Sequence, residues 1–242
     1  MANRLALAAL LAAIISGCGG GPSKEQANLR NLPPAFRNAI PSEMHDGLRL
    51  VALEWRPGQD PQNAKPWRTV EFYKTGTNEV LKTERISIAS GYRAMYSYPD
   101  TEYFANVRIE QSVSGSYDTD KNKVIDYITY LYDSQSTLLS ERLRNNPELK
   151  AQIDKVKARG KEYFTFERGN YSNFEYISYT ANVIGLTGGT ISHIHIFIPK
   201  NDIILTAYLL SQKKAKFATI EEFLRLKQQF LEGYIEYLAK NN

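Results

Sequence analysis

Residues 190–210 read "TISHIHIFIPKNDIILTAYLL". No other stretch constrains the fold as tightly. Two runs rich in β-branched residues flank Pro199-Lys200-Asn201-Asp202, a turn signal between two strands. Side chains two apart on a strand share a face. If the turn closes a hairpin, Ile198 lies opposite Ile203, His195 opposite Thr206 and His193 opposite Tyr208. One face then carries Ile194, Ile196, Ile198, Ile203, Leu205, Ala207 and Leu209. It is apolar throughout and must be core, with a helix as its cover. The other face carries His193, His195, Phe197, Thr206, Tyr208 and Leu210 and is mixed. It reads as the non-core side: two amphipathic rings covering a half-exposed sheet and bonding to neighbours such as Thr206 and Tyr208.

The same alternation recurs along the chain. Strands are expected at 48–55, 68–76, 85–99, 103–117, 161–168 and 174–184, besides the hairpin. Between them the period changes. Val124, Ile125, Ile128, Leu131, Tyr132, Leu138, Leu139 and Leu143 are spaced by threes and fours, a helix stripe with Asp120 as its expected N-cap. Asn146, Pro147 and Gly160 bracket a second helix. The chain ends in a longer amphipathic helix, opened by the capping-box pair Thr219 and Glu222. Ile220, Phe223, Leu224, Phe230, Leu231, Tyr234, Ile235 and Leu238 form its apolar stripe. The expected fold class is therefore α+β: an antiparallel sheet packed by helices, α/β/α sandwich-like, with a long C-terminal amphipathic helix.

The N-terminus is of a different kind. Arg4 precedes an unbroken apolar run from Leu5 to Ile15, the length of a signal-peptide core and too short to span a bilayer. Ile15-Ser16-Gly17-Cys18 follows, and Cys18 is the only cysteine of the chain. This stretch resembles the lipobox of bacterial lipoproteins. The resemblance implies cleavage before Cys18 and acylation of its thiol. It also implies a cell-envelope location, lipid-anchored, with the membrane as one partner. Residue 19 is Gly rather than Asp, so in a Gram-negative host the sorting rule of that family points to the outer membrane, facing the periplasm. Three segments are expected: a signal peptide at 1–17, a lipidated N-terminus and flexible tether at 18–47, and a single α+β domain at 48–242. The tether assignment rests on Gly19–Gly21 and on Pro22, Pro33, Pro34 and Pro41.

Composition removes several function classes. Cleavage takes Arg4 away and leaves 29 basic against 26 acidic residues. That mild surplus, without a basic cluster, is no nucleic-acid footprint. With no cysteine after Cys18, the folded part has neither an internal disulfide nor a thiol nucleophile. No G-x-S-x-G elbow is present, and "GLTGGT" (185–190) is followed by no Gly-Lys-Ser/Thr, so it is no Walker loop.

Two metal-like patterns remain. His193-x-His195 can supply two zinc ligands from one strand face, but zinc needs a third or fourth, and His45 is far away in sequence. Asp118, Asp120, Asn122 and Asp126 match positions 1, 3, 5 and 9 of an EF-hand loop. Lys123 stands where that loop needs Gly, and Thr129 where it needs a bidentate Glu. We therefore assign no metal, no cofactor and no catalytic residue.

From about residue 103 the order is strand, long helix, strand, strand, hairpin and a capped terminal helix beginning "ATIEEFLRLKQQF". This order is similar to that of the Mog1/PsbP-like α/β/α sandwich over residues 48–239, with the helix at 147–159 as an addition. Members of that fold are mostly binding or assembly modules, so the resemblance implies a binding role and transfers no functional residue. The expected function is that of a non-enzymatic, protein-binding accessory module in the envelope, of assembly-factor or inhibitor and immunity type. His193, His195, Thr206 and Tyr208 are its candidate contacts. The alternative is a periplasmic protein that holds a small ligand or metal on the same strand face.

Overall fold

A computed structural model of the chain describes residues 29–44, 47–56, 67–99, 103–158, 164–182, 190–210 and 220–241. The fold is α+β, built on an open, eight-stranded antiparallel sheet. Its strands are β1 (Arg49–Arg56), β2 (Trp67–Tyr73), β3 (Val80–Ser97), β4 (Phe104–Ser112), β5 (Phe164–Tyr171), β6 (Phe174–Asn182), β7 (Thr190–Ile198) and β8 (Ile203–Leu210). The spatial order is β1-β3-β4-β8-β7-β6-β5. The long strand β3 serves two partners on one edge: its first half pairs with β2 and its second half with β1. The helices are α1 (Pro34–Arg37), α2 (Tyr117–Asn145), α3 (Pro147–Ala158) and α4 (Ile220–Asn241).

Both sheet faces are covered. The expected apolar hairpin face, Ile194, Ile196, Ile198, Ile203, Leu205, Ala207 and Leu209, is buried in one core cluster with Leu226, Phe230, Leu231, Tyr234, Ile235 and Leu238 of α4. The threes and fours of that stripe keep one side of α4 on the sheet. A second cluster lies on the opposite face. There Val124, Ile125, Ile128 and Leu131 of α2 meet Ile177 and Tyr179 of β6, Phe197 of β7 and Ile204 of β8. Among the described residues, no helix is long and apolar enough to cross a membrane.

The lead-in is not a free tether over its whole length. Leu32, Phe36, Ala39, Ile40 and Met44 are buried in the same cluster as α4. The Phe36 ring meets Tyr92 edge-on at 4.8 Å. The Tyr234 hydroxyl donates to the Ala39 carbonyl at 2.6 Å, and Tyr237 donates to that of Arg37 at 2.9 Å. The domain thus begins by residue 29, not 48. Two of the prolines that suggested a tether serve here as helix punctuation, Pro33 at the N-cap and Pro34 at the first position of α1.

Several local expectations change: β3 starts at Val80 rather than at 85, and β4 ends at Ser112 rather than at 117. Helix α2 starts at Tyr117, with Ser116 at its N-cap position. Asp120 falls in the first turn, fully buried, and accepts the Ser87 N–H of β3 at 3.1 Å. A carboxylate there still meets the positive end of the helix dipole while satisfying a strand donor. The EF-hand-like stretch is therefore helix, not loop, and its acidic positions radiate around an axis instead of curling about one point. Finally, β5 runs three residues past its expected end, to Tyr171, and a tight turn joins it to β6 with Ser172 at a φ of 56°. Cys18, His45, Gly185–Gly189 and Thr219 lie outside the described residues.

Candidate functional site

The hairpin register is as the alternation predicts: Ile198 opposes Ile203, His195 opposes Thr206 and His193 opposes Tyr208. The exposure is not. His193 and His195 are only 5% and 3% exposed and Thr206 is fully buried, while Tyr208 is half-buried. The expectation of a half-exposed histidine face is overturned. The two hairpin strands sit in the interior of the sheet, between β4 and β6. Ile177, Tyr179, Phe197 and Ile204 share that face and make it apolar enough to hold α2 down.

The four predicted residues do come together. The Thr206 hydroxyl and His195 Nδ1 are 3.0 Å apart. His195 Nε2 is buried without a hydrogen-bond partner. The His193 ring meets Tyr208 edge-on at 4.9 Å and lies 6.3 Å from Tyr179. Burial holds both imidazoles below their usual range. His193 falls to about 4, through desolvation first and the Arg108 charge second. His195 is lowered further by His193, Arg68 and Arg108, after desolvation. Both rings are neutral at neutral pH.

The residues that surround them are not legible in the hairpin. β4 lies beside β8, so Arg108 stands opposite Thr206, and on its other side opposite Arg93 of β3. The Arg108 guanidinium lies over the Tyr208 ring at 5.9 Å. Two residues along β4, buried Glu110 accepts from Arg68 Nε at 3.0 Å and lies 3.6 Å from Arg108 Nε. Arg68 belongs to β2, and its Nη2 is buried with no partner. The available signal was Asn106, Arg108 and Glu110 alternating with Ala105, Val107 and Ile109. That pattern marks a polar face on β4 but cannot say which strand lies beside it.

The cluster is cationic and rich in donors. Two guanidinium groups share one carboxylate, next to two neutral imidazoles. That chemistry suits an anion and opposes a metal cation, since Arg68 and Arg108 repel a positive charge placed at the rings. Among the described residues, no three His, Cys, Asp or Glu side chains gather as a metal site. An open groove of about 670 Å³ lies elsewhere, between the β2–β3 ribbon and α2, with Tyr73, Lys74, Tyr130, Asp126 and Asp133 in its lining. It contains none of the four predicted residues. No protein-family model, curated protein or solved structure matches the chain.

Proposed function

We propose that the protein is a lipid-anchored envelope module that works by binding, as an accessory, assembly or inhibitor-type factor, and that recognition centres on the arginine side of the histidine cluster. Cys18 supplies the anchor, with the outer membrane facing the periplasm as its site in a Gram-negative host. One observation carries the recognition reading. Arg93 and Arg108 oppose each other across β3 and β4 on a half-exposed face, and the Arg93 side chain, with Glu54 opposite it on β1, makes no ion pair or hydrogen bond among the described residues. Like charges directly opposite on a sheet are destabilising, so the pair favours a negatively charged occupant. His193 and His195 lie beneath, holding Tyr208 and Thr206 in place.

The test is crosslinking and pull-down from cells making the full-length protein, beside an Arg93→Glu/Arg108→Glu variant. One dominant envelope protein captured by the wild type and lost in the variant supports the reading. Equal capture by both removes the arginines from it. Loss of lipid labelling in Cys18→Ser tests the anchor separately. A second reading, small-ligand binding at the same face, is favoured by the unpartnered His195 Nε2. A zinc version of it runs against the charges of Arg68 and Arg108, and only metal found in the purified protein and lost in a His193→Ala/His195→Ala variant would support it.

A further inference from the structure

We infer that the seam between α2 and the β4–β8–β7 face is a receptor for a single carboxylate group, held by Arg108 and Arg68 with Arg93 at its mouth. This deepens the binding reading above and rests on it. Three observations converge.

The first is charge. Across this face Arg68, Arg93 and Arg108 stand against Glu54, which opposes Arg93 in the β1–β3 register, and Glu110. Asp120 of α2 also faces Arg68 but has Lys123 3.9 Å away, so the surplus remains one positive charge. A singly charged group neutralises it, whereas a phosphate dianion overshoots. The second is unmet hydrogen bonding. Arg68 Nη2 and His195 Nε2 are both buried without a partner, and His195 is only 3% exposed. An unmade bond at a buried charged donor is costly, and a carboxylate can satisfy it with a charge-assisted bond, as a phosphate also can. Thr206 holds His195 Nδ1, which fixes the ring and leaves Nε2 as its remaining polar atom.

The third is access. The Arg108 side chain is 32% exposed, and Arg93, Asn106 and Tyr208 are all half-exposed, while Glu110 and the histidines are enclosed. The seam therefore opens toward β3 and β4 and closes toward β7. A carboxylate entering there passes between Arg93 and Arg108 and along the Tyr208 ring. The neutral imidazoles add no charge of their own, so the arginines set the sign of the ligand.

The carboxylate belongs either to a free small acid or to a Glu or Asp side chain of a protein partner. Calorimetry on full-length, acylated protein in detergent distinguishes them. The probes are butyrate, a capped peptide with one Glu, the same peptide with Gln, and inorganic phosphate. The expected result is saturable binding of butyrate, of the Glu peptide or of both, with the Gln peptide inert and phosphate weaker. Butyrate binding points to a small acid; binding of the Glu peptide alone points to a partner's side chain. Arg108→Gln is expected to weaken the affinity at least tenfold. Arg93→Gln, at the exposed mouth, gives the same direction in a variant whose buried ion pairs are intact. Arg49→Gln, an exposed arginine paired with Glu43, leaves binding unchanged. The inference is overturned if neither carboxylate probe binds, if phosphate binds more tightly, or if both arginine variants bind as the wild type does. Partner capture that survives Arg108→Gln would rule out a partner's side chain as the source of the carboxylate while leaving the broader binding reading intact.

Discussion

Lowering the pH from 7.5 to 5.0 is expected to destabilise the fold through its two buried histidines. His193 titrates near 6.5 when unfolded and at about 4 when folded. The unfolded chain therefore takes up the proton first. Stability is complete above about pH 6.5, declines as the pH falls through that value, and levels off below about pH 4. For one such group the loss between pH 7.5 and 5.0 is about 2 kcal/mol by proton linkage. His195 shifts in the same direction and adds to it. In a chain of this size that corresponds to a fall in Tm of roughly 4–8 °C. The assay is urea or thermal unfolding at both pH values, for the wild type and for His193→Phe. Phenylalanine keeps an apolar ring between Tyr179 and Tyr208 but cannot titrate. The carboxylates have different signatures. Glu175 is lowered by its hydrogen bond to Lys121, so its contribution is lost only below about 4.5. Asp120 is raised by burial, so its contribution grows as the pH falls. The difference between wild type and variant isolates the histidine. Equal losses in the two proteins would refute the argument.

Three other outcomes follow from single contacts. Lys227 of α4 is buried against half-exposed Glu167 of β5, with 2.7 Å between Nζ and Oε2. Glu167→Gln is expected to cost about 1–3 kcal/mol, because it weakens the partner of a buried ammonium, whereas Lys227→Met stays within about 1 kcal/mol of the wild type; urea midpoints give both values. Asp120→Ala strands the Ser87 N–H and is expected to cost about 1–3 kcal/mol, while Asp120→Asn keeps the acceptor and removes a charge that burial penalises, so it costs less in the same measurement. Phe36→Ala is expected to cost about 3–5 kcal/mol in thermal unfolding, as for any deeply buried aromatic; an unchanged Tm would mean that the lead-in does not belong to the core.

Much of the fold was legible along the chain. Alternation and a turn signal are local, so the β7–β8 register and its apolar face could be read from residues 190–210 alone. The α4 stripe and the Asn146-Pro147 start of α3 were legible for the same reason. The role of Asp120 was not, because its best partner is a strand N–H 33 residues away. Nor was that of Phe36, whose neighbours are Tyr92 and the far end of the chain.

The candidate site divides along the same line. By itself the sequence determined that His193, His195, Thr206 and Tyr208 share one strand face, because side-chain direction follows from backbone period. Whether that face is wet or dry was a tertiary decision. It depended on α2 finding Ile177, Tyr179, Phe197 and Ile204 next to the histidines, and on β4 lying beside β8 so that Arg108 reaches them. Desolvation and Coulomb fields are summed over everything within several ångströms, whatever its distance along the chain. The charge state of the histidines, and the cationic character of the seam around them, therefore came from the assembled fold.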